Sequence, residues 1–234
     1  MTELERQPLI DKQSRIEANR FPLGGESHSI TILSIVADKA NLITLLGLSA
    51  GVLAILCAGS QNYPMAIVAM LWASLLDWYD GLVARKTEGR SEFHKLVGGR
   101  LDSLVDLISL AVVPATLLLS VGEFSGWFYP GALIIIMAGV LRLAHFDVFG
   151  VDRNGTISGV SLDFSPYAIA AVFLCEGFLD HNVFAVALYA TTVVLSLLHV
   201  APIRTAKLTG LWYYIVTAYV AVMTVVYFLI ESLQ

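Results

Sequence analysis

Charge is scarce in this chain, and that scarcity decides its class. Only 14% of the 234 residues are charged while 57% are hydrophobic, and the mean hydropathy is +0.75, which excludes an ordinary soluble globular domain and puts the chain in a bilayer. Cysteine is nearly absent: Cys57 and Cys175 sit in apolar runs with no CxxC spacing and no histidine cluster nearby, so they read as small core residues. His94, His145, His181 and His199 are dispersed near the ends of apolar runs and read first as polar boundary residues. No internal repeat, low-complexity segment or Pro/Gly-rich linker divides the sequence, and no alternating strand pattern of barrel type is present. The first forty residues lack an apolar stretch long enough for a signal peptide, so residues 1–40 are expected to be a cytosolic tail. Its piece from Ser29 to Lys39 alternates apolar and polar residues and suits a short interfacial amphipathic helix.

What is abundant is apolar sequence in lengths that cross a membrane. A spanning helix needs about 20 mostly apolar residues, and the chain offers seven candidates, at 41–59, 63–84, 99–121, 124–146, 164–179, 181–200 and 209–231, the fifth being the weakest. The expected fold is therefore all-α: a polytopic transmembrane helical bundle with a six-helix core (41–208) plus a seventh span (209–234). All fourteen Lys and Arg residues fall in the tail and in alternate connections, namely Arg6 to Lys39, Arg85 to Arg100, Arg142 with Arg153, and Arg204 with Lys207. By the positive-inside bias these connections are cytoplasmic, the amino terminus lies inside and the carboxy terminus outside. The net charge of −5 says little about partners, and no nucleic acid is expected among them.

Against this background, four aspartates stand out. The second span ends LLDWYDGLVAR, where Asp77, Asp80, Gly81, Ala84 and Arg85 share one helical face; the third begins VGGRLDSLVDL, where Gly98, Asp102 and Asp106 recur every four residues. The apolar run from Tyr63 to Leu76 covers only about 21 Å at 1.5 Å per residue, less than the ~30 Å of hydrocarbon, so Asp77 and Asp80 should lie just inside the lipid boundary. Four ionised aspartates there represent on the order of 10 kcal/mol on insertion scales, and a bound cation is the natural compensation. Oxygen ligands without nearby His or Cys favour a hard ion, Mg2+ or Mn2+, one or two of them, which takes its remaining ligands from water and substrate phosphate. Gly81 and Gly98 offer surface where a nucleotide or phosphate can approach the backbone, and Arg85 can pair with a phosphate in bidentate fashion. Each feature also has a plainer reading: close packing for the glycines, a boundary anchor for Arg85, interhelical hydrogen bonding for a lone aspartate. Four aspartates at helical spacing on adjacent spans fit the plain reading poorly.

Asp77-x-x-Asp80-Gly81-x-x-Ala84-Arg85 followed by Gly98-x-x-x-Asp102-x-x-x-Asp106 resembles the signature of the CDP-alcohol phosphatidyltransferases. Members of that family transfer a phosphatidyl group from a CDP-linked lipid to an alcohol and release CMP. The resemblance implies that Asp77, Asp80, Asp102 and Asp106 bind metal, that Asp106 also acts as general base, and that Gly81, Ala84 and Arg85 contact the CDP moiety. Asn41-Leu-Ile-Thr44 matches the family's Asn-x-x-Thr pattern, which places Asn41 and Thr44 near the nucleotide, although Asn41 also suits a helix cap. Twelve residues separate Arg85 from Gly98, more than is usual in the family, and the surplus in KTEGRSEFHKLV is expected to lengthen the cytoplasmic turn. Homodimers are common in the family, with membrane lipids as the surroundings.

LDSLVDLISLAVVPA, LRLAHFDV and APIRTAK are similar to the phosphatidylserine synthase branch, with Asp147 where asparagine is common and SGVSLDFSP lacking the usual proline spacing. That similarity implies CDP-diacylglycerol as donor and serine as acceptor, with Arg142 and Arg204 as candidates for the serine carboxylate; a structural anchor role suits either equally. Inositol phosphate or glycerol phosphate would call for more convergent basic side chains than the fourth span offers. A cation-coupled transporter would need carboxylates nearer mid-membrane and usually a repeated architecture. Membrane prenyltransferases lack the Asp-Gly-x-x-Ala-Arg run.

Overall fold

A computed structural model describes residues 32–206 and 210–233. The chain separates into two units, Met1–Ile35 and Val36–Gln234. Of the first, only residues 32–35 are described, the opening of helix α1 (Ile32–Val36); the rest of the expected tail lies outside the described residues. Everything below concerns the second unit.

Its elements follow from the spans and their caps. Helix α2 (Lys39–Gly59) starts where the Asp38 carboxylate accepts from the amides of Ala40 and Asn41, occupying two of the donors that a helix start leaves over. It presents Ala40, Thr44, Gly47, Gly51, Ala54 and Ala58 to the bundle at three- and four-residue spacing and turns Leu42, Leu46, Leu53 and Leu56 outward. Small residues on one face let two membrane helices approach closely, and this face packs along α3 (Tyr63–Lys86), the central helix, buried on most sides.

The third span is one continuous helical run, Glu92–Val121, in three parts: α4 (Glu92–Asp106), a π-helical turn (Leu107–Val112) and α5 (Val113–Val121). Ser91 caps α4 through the His94 amide, so the run starts seven residues before the expected 99. The surplus residues between Arg85 and Gly98 thus mostly lengthen the helix, leaving a short turn. The π turn begins at the residue after Asp106. Pro114 has no N–H to return to the preceding turn, and such local widening is common at functional positions. α2 and the helix that follows this span crowd the widened turn: a Cβ on Gly51 would meet Ser109 Oγ at 2.7 Å, and one on Gly139 would meet Ala111 Cβ at 2.7 Å.

Helix α6 (Tyr129–Phe149) leads back to the aspartate end. There a two-stranded ribbon forms, β1 (Thr156–Ser158) antiparallel to β2 (Arg204–Ala206), either side of α7 (Phe164–Phe173) and α8 (His181–Val200). The final helix is α9 (Leu211–Ser232). Asn62 Nδ2 donates to Glu231 Oε1 at 2.9 Å, which puts the far end of α9 beside the α2–α3 turn, away from the aspartates.

Among the described residues, six helical runs are long and apolar enough to cross a membrane, and the protein is an integral membrane protein. The expected fifth span, 164–179, is present over 164–178 and is short for a span: α7 with the 3-10 turn at Glu176–Phe178 covers 15 residues, about 22 Å at 1.5 Å per residue, less than the ~30 Å of hydrocarbon. Just upstream, residues 159–163 descend along the end of α8 before the helix begins at Phe164, the residue expected. Gly159 N donates to Ile203 O at 2.7 Å and Val160 N to Leu198 O at 3.0 Å. Gly159 has φ +72 and a Cβ there would fall 2.1 Å from His199 O, so only glycine fits this crossing. His199, expected at a boundary, is 1% exposed and clamps this descent, with Nδ1 at 3.1 Å from Val160 O and Nε2 at 2.7 Å from Ser165 Oγ.

Candidate active site

The stripes predicted on the second and third spans face one another. One carboxylate oxygen from each of Asp77, Asp102 and Asp106 lies within 4.8 Å of the other two. Asp80, one turn along α3, borders the same cavity but lies outside this triplet; it is 4% exposed, and its Oδ2 accepts the Thr44 hydroxyl. Thr44 therefore acts on the site through an aspartate. The cavity, of about 230 Å³, is also lined by Gly81, Arg85, Arg142, Asp163 and Tyr213.

The triplet meets the requirements of a divalent cation. Three carboxylates this close repel one another in a poorly solvated cavity, and Asp106 Oδ1 is buried with no hydrogen-bond partner among the described residues. An unsatisfied buried carboxylate oxygen is costly, and an all-oxygen donor set suits a hard ion.

The remaining expected residues divide into two groups. Arg85 lines the cavity, and its Nη2 donates to the Tyr213 hydroxyl at 2.7 Å. Arg142 lines it too, 6% exposed, with Nε donating to Val160 O at 3.4 Å and its guanidinium 5.5 Å from the Phe146 ring centre. Ala84 and Arg204 do not line it. Arg204, 71% exposed, pairs at 3.1 Å with Asp152, whose carboxyl is held below its usual value by hydrogen bonds from Thr156.

Asn41 and Gly98 meet each other behind the cavity. A Cβ on Gly98 would lie 2.8 Å from Asn41 Oδ1 and 2.9 Å from Arg90 Nη2, so glycine is needed here for close approach. Arg90 donates to Asn41 Oδ1 at 3.3 Å and pairs with Asp38 at 2.8 Å. Burial works to raise the Asp38 pKa, but Arg90 and the amides of Asn41 and Ala40 outweigh it and hold the carboxyl below its ordinary value. Asp147, standing where asparagine is common, accepts from Arg100 Nη1 and from Ser103 Oγ, both at 2.7 Å, and so braces α4 against α6 beside Asp102.

Sequence reasoning missed Arg90, Tyr213 and Asp163. Nothing singles out Arg90 within a charged connection or Tyr213 within an apolar span. Asp163 did carry a signal, because a carboxylate opening an apolar run in a membrane protein is a functional candidate by default.

This geometry defines a class: a polytopic membrane protein with a carboxylate cavity at one end, cationic side chains around it and a donor set for divalent metal. Comparison with known proteins sharpens it. Residues 38–233 match the family model for CDP-alcohol phosphatidyltransferase, and the chain belongs to that family. It is 35% identical over 159 residues to archaetidylserine synthase of Methanothermobacter thermautotrophicus, covering 66% of this chain and 65% of that protein. It is 36% identical over 112 residues to CDP-diacylglycerol–serine O-phosphatidyltransferase of Methanocaldococcus jannaschii, covering 48% and 50%. The protein of that name from Bacillus subtilis is 32% identical over 109 residues, covering 46% and 59%. The chain thus spans between half and two thirds of the length of these relatives.

Proposed function

We propose that the protein transfers a phosphatidyl group from CDP-diacylglycerol to the hydroxyl of L-serine, forming phosphatidylserine and releasing CMP. The observation that carries this reading is the meeting of Asp77, Asp102 and Asp106 at one point in a cavity that also holds Arg85 and Arg142. Serine is the acceptor because the relatives' names share it and because one buried arginine suits a carboxylate better than a phosphorylated alcohol.

Asp77, Asp102 and Asp106 would hold Mg2+ or Mn2+, one or two ions, with Asp80 beside them as a fourth carboxylate. When bound, the metal neutralises the diphosphate and the departing CMP. Arg85, steadied by Tyr213, pairs with phosphate oxygen and adds charge stabilisation. Gly81 leaves room for the nucleotide along α3, where the resemblance also puts Ala84, with Asn41, Thr44 and Gly98 supporting from behind. Asp106 accepts the proton of the serine hydroxyl as its oxygen attacks the phosphorus on the diacylglycerol side. The new P–O bond forms as the bond to CMP breaks, and CMP leaves as an anion. Arg142 attracts the serine carboxylate. Arg204, tied to Asp152 and outside the cavity, serves better as a brace for the β ribbon.

The distribution of basic residues supports a cytoplasmic active site and amino terminus, which suits a water-soluble acceptor and leaving group. A homodimer is the working assembly, by resemblance to the family. The test is CMP release by purified protein in detergent with CDP-diacylglycerol and Mg2+ or Mn2+, with serine, inositol phosphate or glycerol phosphate offered separately. Release with serine alone is expected. Release with another alcohol changes the acceptor, and none under any condition overturns the transfer reading.

A further inference from the structure

We propose that Tyr213, on the last helix, is a phosphate-binding residue: with Arg85 it forms a two-donor clamp on the diphosphate of the nucleotide-linked lipid. The inference rests on the phosphatidyl-transfer reading and extends its donor site beyond the signature residues of α3 and α4 to α9.

Helical spacing puts Trp78, Gly81 and Arg85 on one face of α3, and all three line the cavity together with Tyr213. Arg85 lies back over the glycine: a Cβ on Gly81 would be 3.6 Å from Arg85 Nη1. Its other terminal nitrogen, Nη2, donates to Tyr213 Oη at 2.7 Å. The phenol ring is held independently, meeting the Trp78 ring edge-on at 80° with centroids 5.2 Å apart, and Trp78 is itself only 9% exposed. Two helices distant in sequence therefore fix one guanidinium and one phenol side by side at the cavity wall.

The direction of the hydrogen bond decides what the phenol does. A guanidinium only donates, so Tyr213 Oη is the acceptor and its own O–H is left to donate elsewhere. Among the described residues, neither that proton nor the remaining guanidinium donors have a hydrogen-bond partner. Accepting from a cation also polarises the phenol and strengthens it as a donor. Several N–H and O–H donors converging without an acceptor suit an anion with several oxygens, and a phosphate meets that need.

Helix attachment does not account for the contact. α9 is tied to α3 at three further levels: Tyr79 Oη lies 3.0 Å from Thr217 Oγ1, Trp72 Nε1 donates to Thr224 Oγ1 at 3.2 Å, and Asn62 Nδ2 donates to Glu231 Oε1 at 2.9 Å. None of those residues lines the cavity. Only the Arg85–Tyr213 level faces the site, which makes Tyr79 a matched control.

The experiment compares wild type, Tyr213→Phe and Tyr79→Phe, each variant losing one hydroxyl between α3 and α9. A hydrogen bond to a charged group corresponds to roughly 10- to 100-fold in affinity. Tyr213→Phe is expected to raise the CDP-diacylglycerol KM about 10-fold or more and to leave the serine KM within about twofold. Tyr79→Phe is expected to leave both within about twofold. Without turnover, CDP with Mn2+ is expected to raise the melting temperature of all three, with about 10-fold more CDP needed for the same rise in Tyr213→Phe. A CDP-diacylglycerol KM that is unchanged in Tyr213→Phe, or raised as much in Tyr79→Phe, overturns the clamp and leaves the transfer reading standing. A rise in the serine KM instead does the same. A wild type that releases no CMP with any acceptor, while the CDP deficit of Tyr213→Phe persists, overturns the transfer reading and upholds the clamp. A wild type that is not stabilised by CDP and releases no CMP overturns both.

Discussion

Arg90 Nε donates to Asp38 Oδ2 at 2.8 Å, and the two side chains are only 8% and 7% exposed. The pair joins the start of α2 to the α3–α4 connection, and the same guanidinium holds Asn41 against Gly98. Removing one partner leaves a buried charge alone, which costs about 3–5 kcal/mol. Arg90→Ala is therefore expected to lower the melting temperature in detergent well beyond the effect of Lys95→Ala, whose partner Glu92 is 82% exposed. Equal effects would mean that the buried pair contributes no more than a surface one.

The same pair sets a pH dependence. The Asp38 carboxyl is held below its ordinary value of 3.8 in the folded protein. A lowered carboxylate contributes stability that is complete above the unfolded value and is lost as pH falls through the folded one. As pH falls below about 4 the wild type is expected to lose more stability than Asp38→Asn, which has no proton to take up there. Parallel acid-unfolding curves for the two would contradict this.

Gly98 and Gly99 provide a matched comparison inside α4. A Cβ at position 98 would force Asn41 and Arg90 to shift, whereas one at position 99 meets nothing within 4 Å. Overpacking of this kind typically costs 1–3 kcal/mol, while Ala is favoured over Gly in an open helical position by about 1 kcal/mol. Gly98→Ala should melt lower and Gly99→Ala at or above wild type. A drop for both would point to a role for Gly99 that its open surroundings do not suggest.

Much of this site was legible because helical period turns spacing into position. Asp77, Asp80, Asp102 and Asp106 fall on facing stripes whatever the details of packing, and apolar length alone locates most spans. What was hidden depends on contacts between distant segments. Arg90 reads as one more basic residue in a solvated turn until Asp38, fifty-two positions earlier, covers it. His199 reads as a boundary residue until Val160 and Ser165 fold against it. Arg204 reads equally as an acceptor ligand or a structural anchor until Asp152 pairs with it at the edge of the ribbon. The path of residues 159–163 along the end of α8 depends on one left-handed glycine, Gly159, a feature that hydropathy averages erase.

Metal binding should appear as stability. A ligand bound only by the folded state adds about 2.7 kcal/mol at a hundred times its dissociation constant. Mn2+ or Mg2+ added to chelator-treated protein is expected to raise the melting temperature of wild type and of Arg85→Gln, because Arg85 belongs to the phosphate side of the cavity. Asp77→Asn should lose the shift, since it removes one corner of the triplet. A full shift in Asp77→Asn would put the ion somewhere other than the triplet.

Asp106→Asn separates function from stability most cleanly. The amide fills the same space but takes no proton, so turnover in the CMP-release assay should fall by at least about 100-fold. Stability should move the other way. Removing one of three carboxylates that approach within 4.8 Å relieves like-charge repulsion in a poorly solvated site, and the amide lets position 106 donate as well as accept. In the presence of chelator, Asp106→Asn is therefore expected to melt above wild type. Near-normal turnover would remove Asp106 from the role of proton acceptor. A lower melting temperature would show that its carboxylate braces the α3–α4 interface, and the activity loss would then need a second, folding-based account.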